Sequence, residues 1–125
     1  MSKIVIITGG SEGIGFATAQ KFCNLNYKVL IASRNEAKLA LAKAEILQSY
    51  SKAQIHFVVC DVAQDKDVTK LFKVCDEIYG KVNILVNAAA ILESHNFIDA
   101  NKAIWQKTLD INLKGTISCC EHAFQ

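Results

Sequence analysis

Hydrophobic positions along the chain switch repeatedly between strand-like runs and helical spacing. Ile4-Val5-Ile6-Ile7 is a continuous β-branched run, the pattern of a strand buried on both faces, whereas Phe16-Ala17-Thr18-Ala19-Gln20-Lys21-Phe22 has helical composition and spacing. Lys28-Val29-Leu30-Ile31-Ala32 predicts a second strand ending at Ser33-Arg34-Asn35. Ala37, Ala40, Leu41, Ala44 and Leu47 then predict a helix to about Gln48. A third strand is expected over 55–60, closed by Asp61. The clearest helix follows, since Val68, Leu71, Phe72, Cys75, Ile78 and Tyr79 share one stripe, with Asp65 as the expected N-cap and Gly80 as the stop. Val82-Asn83-Ile84-Leu85-Val86 predicts a fourth strand running into Asn87-Ala88-Ala89-Ala90. After a loop through about Ile98, a last helix carries Ile104, Thr108, Ile111, Gly115 and Cys119 down one side.

Strands alternating with helices call for right-handed crossovers and a parallel sheet, which makes the expected fold α/β, a Rossmann-type doubly wound sheet. The expected strand order is 3-2-1-4, and such sheets bind ligands at the crevice between strands one and four. Two stretches far apart in sequence, 8–15 and 87–90, then flank one site.

The first of them reads Thr8-Gly9-Gly10-Ser11-Glu12-Gly13-Ile14-Gly15 and sits between a strand and a helix. Gly9 permits a tight exit from the strand, Gly13 leaves no side chain where a pyrophosphate must approach, and Gly15 lets the helix pack closely on the strand. The helix directs free N–H groups and the positive end of its dipole toward phosphate. A nucleotide is the expected ligand.

Composition narrows the classes further. With 14 basic against 12 acidic residues there is no field that would gather nucleic acid or an anionic membrane. No apolar run approaches the roughly 20 residues needed to span a bilayer, and only four apolar residues precede Thr8, too few for a signal peptide. A cytoplasmic location is the expectation. The five cysteines are odd in number and lack a Cys-x-x-Cys pair, so they read as small buried hydrophobes in a reducing compartment. Cys119 and His122 lie one helical turn apart, but with no second pair nearby no metal site is expected; His56 and His95 read as packing or surface residues.

The order Gly9-x-x-x-Gly13-x-Gly15, led by Thr8, resembles the cofactor turn of the short-chain dehydrogenase/reductase family. Three later stretches extend the resemblance over the whole chain: Asp61-Val62 after strand three, Asn87-Ala88-Ala89-Ala90 after strand four, and Asn112-Leu113-Lys114-Gly115 in the last helix. The closest likeness is to the branch of 3-oxoacyl-acyl-carrier-protein reductases and carbonyl reductase 4. That resemblance implies a cofactor set of Gly9, Ser11, Glu12, Gly13, Ile14, Gly15, Arg34, Asn35, Asp61, Val62, Asn87, Ala88 and Ala89. It also implies that Asp61 sits beside the adenine and that Asn112 belongs to a catalytic tetrad, holding a proton-relay water. Read from the residues alone, Asp61 is equally a turn residue and Asn112 equally a satisfied amide.

Where an NAD enzyme usually carries an acid for the ribose 2′-hydroxyl, this chain has Ser33-Arg34-Asn35, and a guanidinium suits a 2′-phosphate. One such charged interaction, about 1.5–3 kcal/mol, favours NADP(H) over NAD(H) by about ten- to a hundredfold. Glu12 opposes this weakly, by ~0.5 kcal/mol at ~8 Å in a water-like dielectric. Ala90 departs from the family's Gly, and if the site needs positive φ the Ala costs about 1 kcal/mol.

Hydride transfer to a carbonyl also needs an acid. The family supplies it with a Ser and Tyr-x-x-x-Lys, but here Tyr27 precedes Ile31, Tyr50 precedes Gln54 and Tyr79 precedes Asn83 at that spacing. The expected domain is therefore 1–125 as the NADP(H)-binding N-terminal half of a short-chain reductase, with strand four a bare sheet edge and the chain itself inactive. The parent would reduce a small-molecule or acyl-carrier-bound carbonyl as a homotetramer or dimer, and the acyl-carrier branch would also suit the mitochondrial matrix. The alternative is a non-catalytic truncated product that binds nucleotide or a partner.

Overall fold

The computed structural model describes residues 2–92 and 101–125. The end of the expected loop, with His95, lies outside them. The elements run β1 (Ile4–Thr8), α1 (Gly13–Asn24), β2 (Lys28–Ser33), α2 (Glu36–Ser49), β3 (Gln54–Val59), α3 (Asp65–Ile78), β4 (Ile84–Asn87), α4 (Lys102–Leu109), a π-helical turn (Asp110–Lys114) and α5 (Gly115–Ala123). All pairings are parallel and the order is β3-β2-β1-β4, the order expected of a Rossmann-type sheet.

β1 sits inside the sheet, and every one of its residues is buried. Because successive side chains alternate faces, Ile4 and Ile6 enter one apolar layer while Val5 and Ile7 enter the other. The first layer is closed by α3 and α5 through Val68, Leu71, Cys75 and Cys119. The second is closed by α1 and α2 through Ala19, Leu39 and Ile46. Each layer buries the stripes of two helices, and in α2 the buried stripe is Leu39, Ala42 and Ile46. The expected Ala37, Ala40, Leu41 and Ala44 are exposed and Leu47 is half-buried, because small alanines recur on both faces of this helix and mark neither. β4 lies at one edge of the sheet with Ile84, Leu85 and Val86 half-buried.

Several boundaries move by a residue or more. α1 begins at Gly13, so Gly13 and Gly15 belong to its first turn and not to the connection before it. α3 takes Gln64 at the capping position with no side-chain bond, in place of Asp65, because Asp61 and Asp67 organise that corner instead. Asp61 Oδ1 accepts the Ala63 N–H at 3.0 Å, and Asp67 Oδ2 accepts the Asp61 N–H at 3.0 Å. β4 begins at Ile84, not Val82, since Asn83 is engaged as a clasp: its Oδ1 accepts the Ile4 N–H at 2.8 Å, and its own N–H donates to the Ile4 carbonyl at 2.9 Å.

The last helix is not an uninterrupted α-helix. The π-turn inserts an extra residue between α4 and α5, and the Thr116 hydroxyl donates to the Asn112 carbonyl at 3.1 Å within it. Ile111, Gly115 and Cys119 are the buried positions around this turn. A Cβ on Gly115 would sit 2.6 Å from Val62 Cγ2, so the glycine sets how closely α5 approaches the β3–α3 corner.

Candidate functional site

The carboxyl ends of β1, β2, β3 and β4 open on one cavity of about 670 Å³. Its wall begins at the turn after β1. Thr8 is buried, and it binds the end of β4 twice, its carbonyl accepting the Ala88 N–H at 3.2 Å and its Oγ1 the Ala89 N–H at 3.3 Å. Gly9 has φ +67° and lies under the same segment, where a Cβ would fall 2.5 Å from the Ala88 carbonyl oxygen. Gly9 thus brings two strand ends together, beyond giving a tight exit from β1.

The other glycines divide the remaining work. Gly13 has φ +59° with nothing within 4 Å of a would-be Cβ, so it faces open space. Gly15 is pressed on the turn itself, its would-be Cβ meeting the Gly9 carbonyl, and not on the strand as the spacing suggested. Gly10, absent from the expected set, is needed because a Cβ there would lie 2.7 Å from Ile31 Cβ. No side chain caps the N-terminus of α1, unlike α2, whose N-cap Asn35 accepts the Lys38 N–H at 3.0 Å. The first N–H groups of α1 are left for water or an anion.

Of the expected site residues, Gly9, Ser11 and Glu12 line the cavity from the first turn, and Arg34 with Asn35 from the second. Asp61 and Val62 line it from the third connection, and Ala88 with Ala89 from the fourth. Gly13, Ile14 and Gly15 do not line it; Ile14 is 81% exposed. Asn87 points elsewhere, donating from Nδ2 to Cys120 Sγ at 3.5 Å. Asn112 does not line the cavity either, and its side-chain amide is paired with one residue: Oδ1 accepts the Ile91 N–H at 2.9 Å and Nδ2 donates to the Ile91 carbonyl at 2.8 Å. This amide is a clamp on the segment that follows β4. Ala90, a wall residue, has no positive φ, so the substitution for Gly carries none of the expected strain.

Residues outside the expected set complete the wall. Ser33, Glu36 and Lys38 line it near Arg34, and Cys60 and Ile111 line its floor. Burial, reinforced by the nearby Cys119 sulfur and the carboxylates of Asp67 and Asp61, pushes the Cys60 thiol up to about 12, so the thiol itself is a neutral part of the wall. Glu12, expected to stand alone against a phosphate, is paired with Lys38, Nζ to Oε2 at 3.4 Å. A lysine in a helical stripe carries no sign in the sequence that it will meet a residue 26 positions earlier.

No group of His, Cys, Asp and Glu among the described residues could hold a metal ion, and no helix there is long and apolar enough to cross a membrane. His122 is occupied by packing: Nδ1 donates to the Ser118 carbonyl at 2.9 Å, Nε2 lies 3.2 Å from Thr69 Oγ1, and the ring stacks on Phe72.

A parallel sheet whose first glycine turn and fourth strand end converge on one cavity is the architecture of a dinucleotide-binding oxidoreductase domain. Residues 3–125 match the family model described as short chain dehydrogenase, and the chain belongs to that family. It is 32% identical over 124 residues to the farnesol dehydrogenase of Aedes aegypti, covering 98% of this chain and 50% of that protein. A short chain dehydrogenase from Bacillus anthracis superposes with a TM-score of 0.89 at 37% identity, over 95% of this chain and 47% of the other. An actinorhodin polyketide ketoreductase solved with NADPH shares the fold, with a TM-score of 0.94 at 22% identity over 99% of this chain and 47% of the other. The chain spans about half the length of the curated relatives it matches.

Proposed function

We propose that this protein is an NADP(H)-dependent oxidoreductase that reduces a carbonyl, a 3-oxoacyl group or similar ketone, and that residues 1–125 form its cofactor-binding half. The observation that carries the reading is the cavity with Arg34 on the wall after β2, and beside it the uncapped N-terminus of α1, where Gly13 faces open space. Those features fit a dinucleotide whose pyrophosphate lies over Gly13 and whose 2′-phosphate meets the Arg34 fork. The nicotinamide would supply a hydride for the carbonyl carbon. Thr8 and Gly9 hold the Ala88–Ala89 wall in place, and Asn112 fixes the next segment through Ile91, acting here as a positioning residue. Asp61 would border the adenine while its Oδ1 stays engaged with Ala63.

Reduction also needs a proton for the nascent alkoxide. Tyr79 is withdrawn for structural use, its hydroxyl donating to the Val29 carbonyl at 3.2 Å and lying 2.9 Å from His56 Nδ1. Burial, with nearby cysteine charges, holds that hydroxyl's pKa well above the usual tyrosine range. We therefore assign the acid to residues outside this chain. The relatives' names support an oxidoreductase; the substrate, an acyl carrier as its bearer, a homotetramer or dimer, and a cytoplasmic or mitochondrial setting remain part of the proposal.

Calorimetric titration of the chain with NADPH and NADH tests this reading. Expected is tighter binding of NADPH by about ten- to a hundredfold, the value of one charged fork, and no consumption of NADPH when a 3-oxoacyl thioester is added. Equal affinity, or turnover by the chain alone, overturns it.

A further inference from the structure

Arg34 is not the only cation on the cavity wall. Lys38 stands one helical turn into α2, and its ammonium lies 3.4 Å from Glu12 Oε2, with both side chains lining the cavity. The backbone under Lys38 is fixed, because its N–H donates to the capping side-chain Oδ1 of Asn35 at 3.0 Å. Only its flexible stem is free to redirect the charge.

The pair is built to be exchanged. The two side chains are 53% and 71% exposed, and an ion pair so open to water is weak. A phosphate monoester carries about −1.5 to −2 at neutral pH, against the single charge of a carboxylate, and adds three acceptor oxygens. A phosphate beside Ser33 and Arg34 would therefore outcompete Glu12 for the ammonium. The neighbourhood also needs a second cation: Glu12 and Glu36 both line the cavity, and one guanidinium cannot balance a dianion in their company.

We propose that Lys38 is a second cation of the 2′-phosphate subsite and that Glu12 is its internal competitor, holding the ammonium at the cavity until a phosphate takes it. This deepens the NADP(H) reading and rests on it. Lys38 is thereby a specificity-determining residue, acting on the phosphate alone, while Glu12 lowers affinity for phosphate-bearing nucleotides.

The test is calorimetric titration of the wild-type chain, Lys38→Met, Lys38→Arg, Glu12→Gln and the Lys38→Met/Glu12→Gln pair with 2′,5′-ADP and with 5′-AMP. Lys38→Met is expected to weaken 2′,5′-ADP about tenfold, the lower end for a charged contact, and to leave 5′-AMP within about twofold. The unchanged 5′-AMP affinity reports an intact fold. Lys38→Arg should restore most of the loss. Glu12→Gln should tighten 2′,5′-ADP by up to about fivefold, and this gain should vanish in the Lys38→Met background. If wild type prefers 2′,5′-ADP and Lys38→Met keeps that preference, the proposal fails while the NADP(H) reading stands. Weaker 2′,5′-ADP binding by Glu12→Gln would make the carboxylate a positioning group and refute the competition. A wild-type chain that does not prefer 2′,5′-ADP over 5′-AMP overturns both readings.

Discussion

Gly9 and Gly13 share a left-handed backbone, yet alanine at the two positions should differ in how far it destabilises the fold and in what it does to ligand binding. Both substitutions place an L side chain at φ near +60°, at a cost of about 1–2 kcal/mol. At Gly13 that is the whole structural cost, because no atom lies within 4 Å of the added Cβ. At Gly9 the methyl also falls 2.5–2.7 Å from the Ala88 carbonyl and the Ala89 nitrogen, backbone atoms that can move only with the end of β4. Overpacking of that kind adds about 1–3 kcal/mol, for a total near 2–5. At about 3–5 °C per kcal/mol for a domain of this size, Gly13→Ala should melt about 3–10 °C below wild type and Gly9→Ala appreciably lower. The ligand response separates them further. NADPH at a hundred times its dissociation constant should stabilise wild type by about 2.7 kcal/mol, or roughly 8–13 °C. Gly13→Ala should lose nearly all of that rise, since its methyl occupies the space assigned to the pyrophosphate. Melting curves with and without NADPH, followed by circular dichroism, supply both readings. A Gly13→Ala protein with the full NADPH shift would refute the placement of the phosphates, and equal destabilisation by the two alanines would refute the close approach at Gly9.

Asn112→Ala removes both bonds to Ile91 from an exposed site that water can partly refill, so urea melts should show a loss of about 1–2 kcal/mol. Asn112→Asp keeps the acceptor for the Ile91 N–H but sets a carboxylate against the Ile91 carbonyl. It should be less stable than wild type at neutral pH and regain ground as acid protonates the carboxyl and restores a donor; a loss that grows in acid relative to Asn112→Ala would contradict the clamp. Thiol labelling of the native protein at pH about 8 should show one fast equivalent, Cys120, which is half-buried, and four slow ones. Burial holds Cys23, Cys75 and Cys119 at about 11 and Cys60 at about 12, which cuts their thiolate fraction at least about a hundredfold. Cys120→Ser should abolish the fast phase, and a second fast equivalent would show that one of the other thiols is accessible.

How much of this was legible in the chain depends on the range of the interaction concerned. The run at 4–7 announces a strand buried on both faces because an interior strand can spend four β-branched residues in succession, and the parallel sheet follows from the alternation of elements, while its order 3-2-1-4 came with the Rossmann-type fold expected of them. The glycine turn was legible for the same local reason, as an exit from a strand and an opening to a helix. What escaped notice joins distant positions. Gly10 is required by Ile31, Lys38 meets Glu12 across 26 residues, and Asn112 clamps Ile91 across 21. Helical periodicity carries no mark of one inserted residue, so the π-turn at 110–114 was invisible too, and with it the reason Asn112 turns toward the strand end. The strain expected at Ala90 was borrowed from a glycine in a resembling motif, whereas the conformation here does not demand one.

The cavity therefore joins two kinds of recognition that obey different physics. Its backbone part is a wall pinned by Thr8 and Asn112, with the free N–H groups of α1 and the open space at Gly13 beside it. Groups held by the sheet and by paired hydrogen bonds lose little entropy on binding, and in the proposed function they act on any dinucleotide phosphate alike. In the proposed function the discrimination between cofactors falls to exposed side chains around Arg34, where cations and carboxylates stand side by side and each pair is worth little alone. Affinity and selectivity are thus separable in this fold. A change at Gly13 strikes both cofactors, while one at Lys38 or Arg34 reweights them without disturbing the cradle beneath, because neither side chain contributes to the buried layers on which the sheet depends.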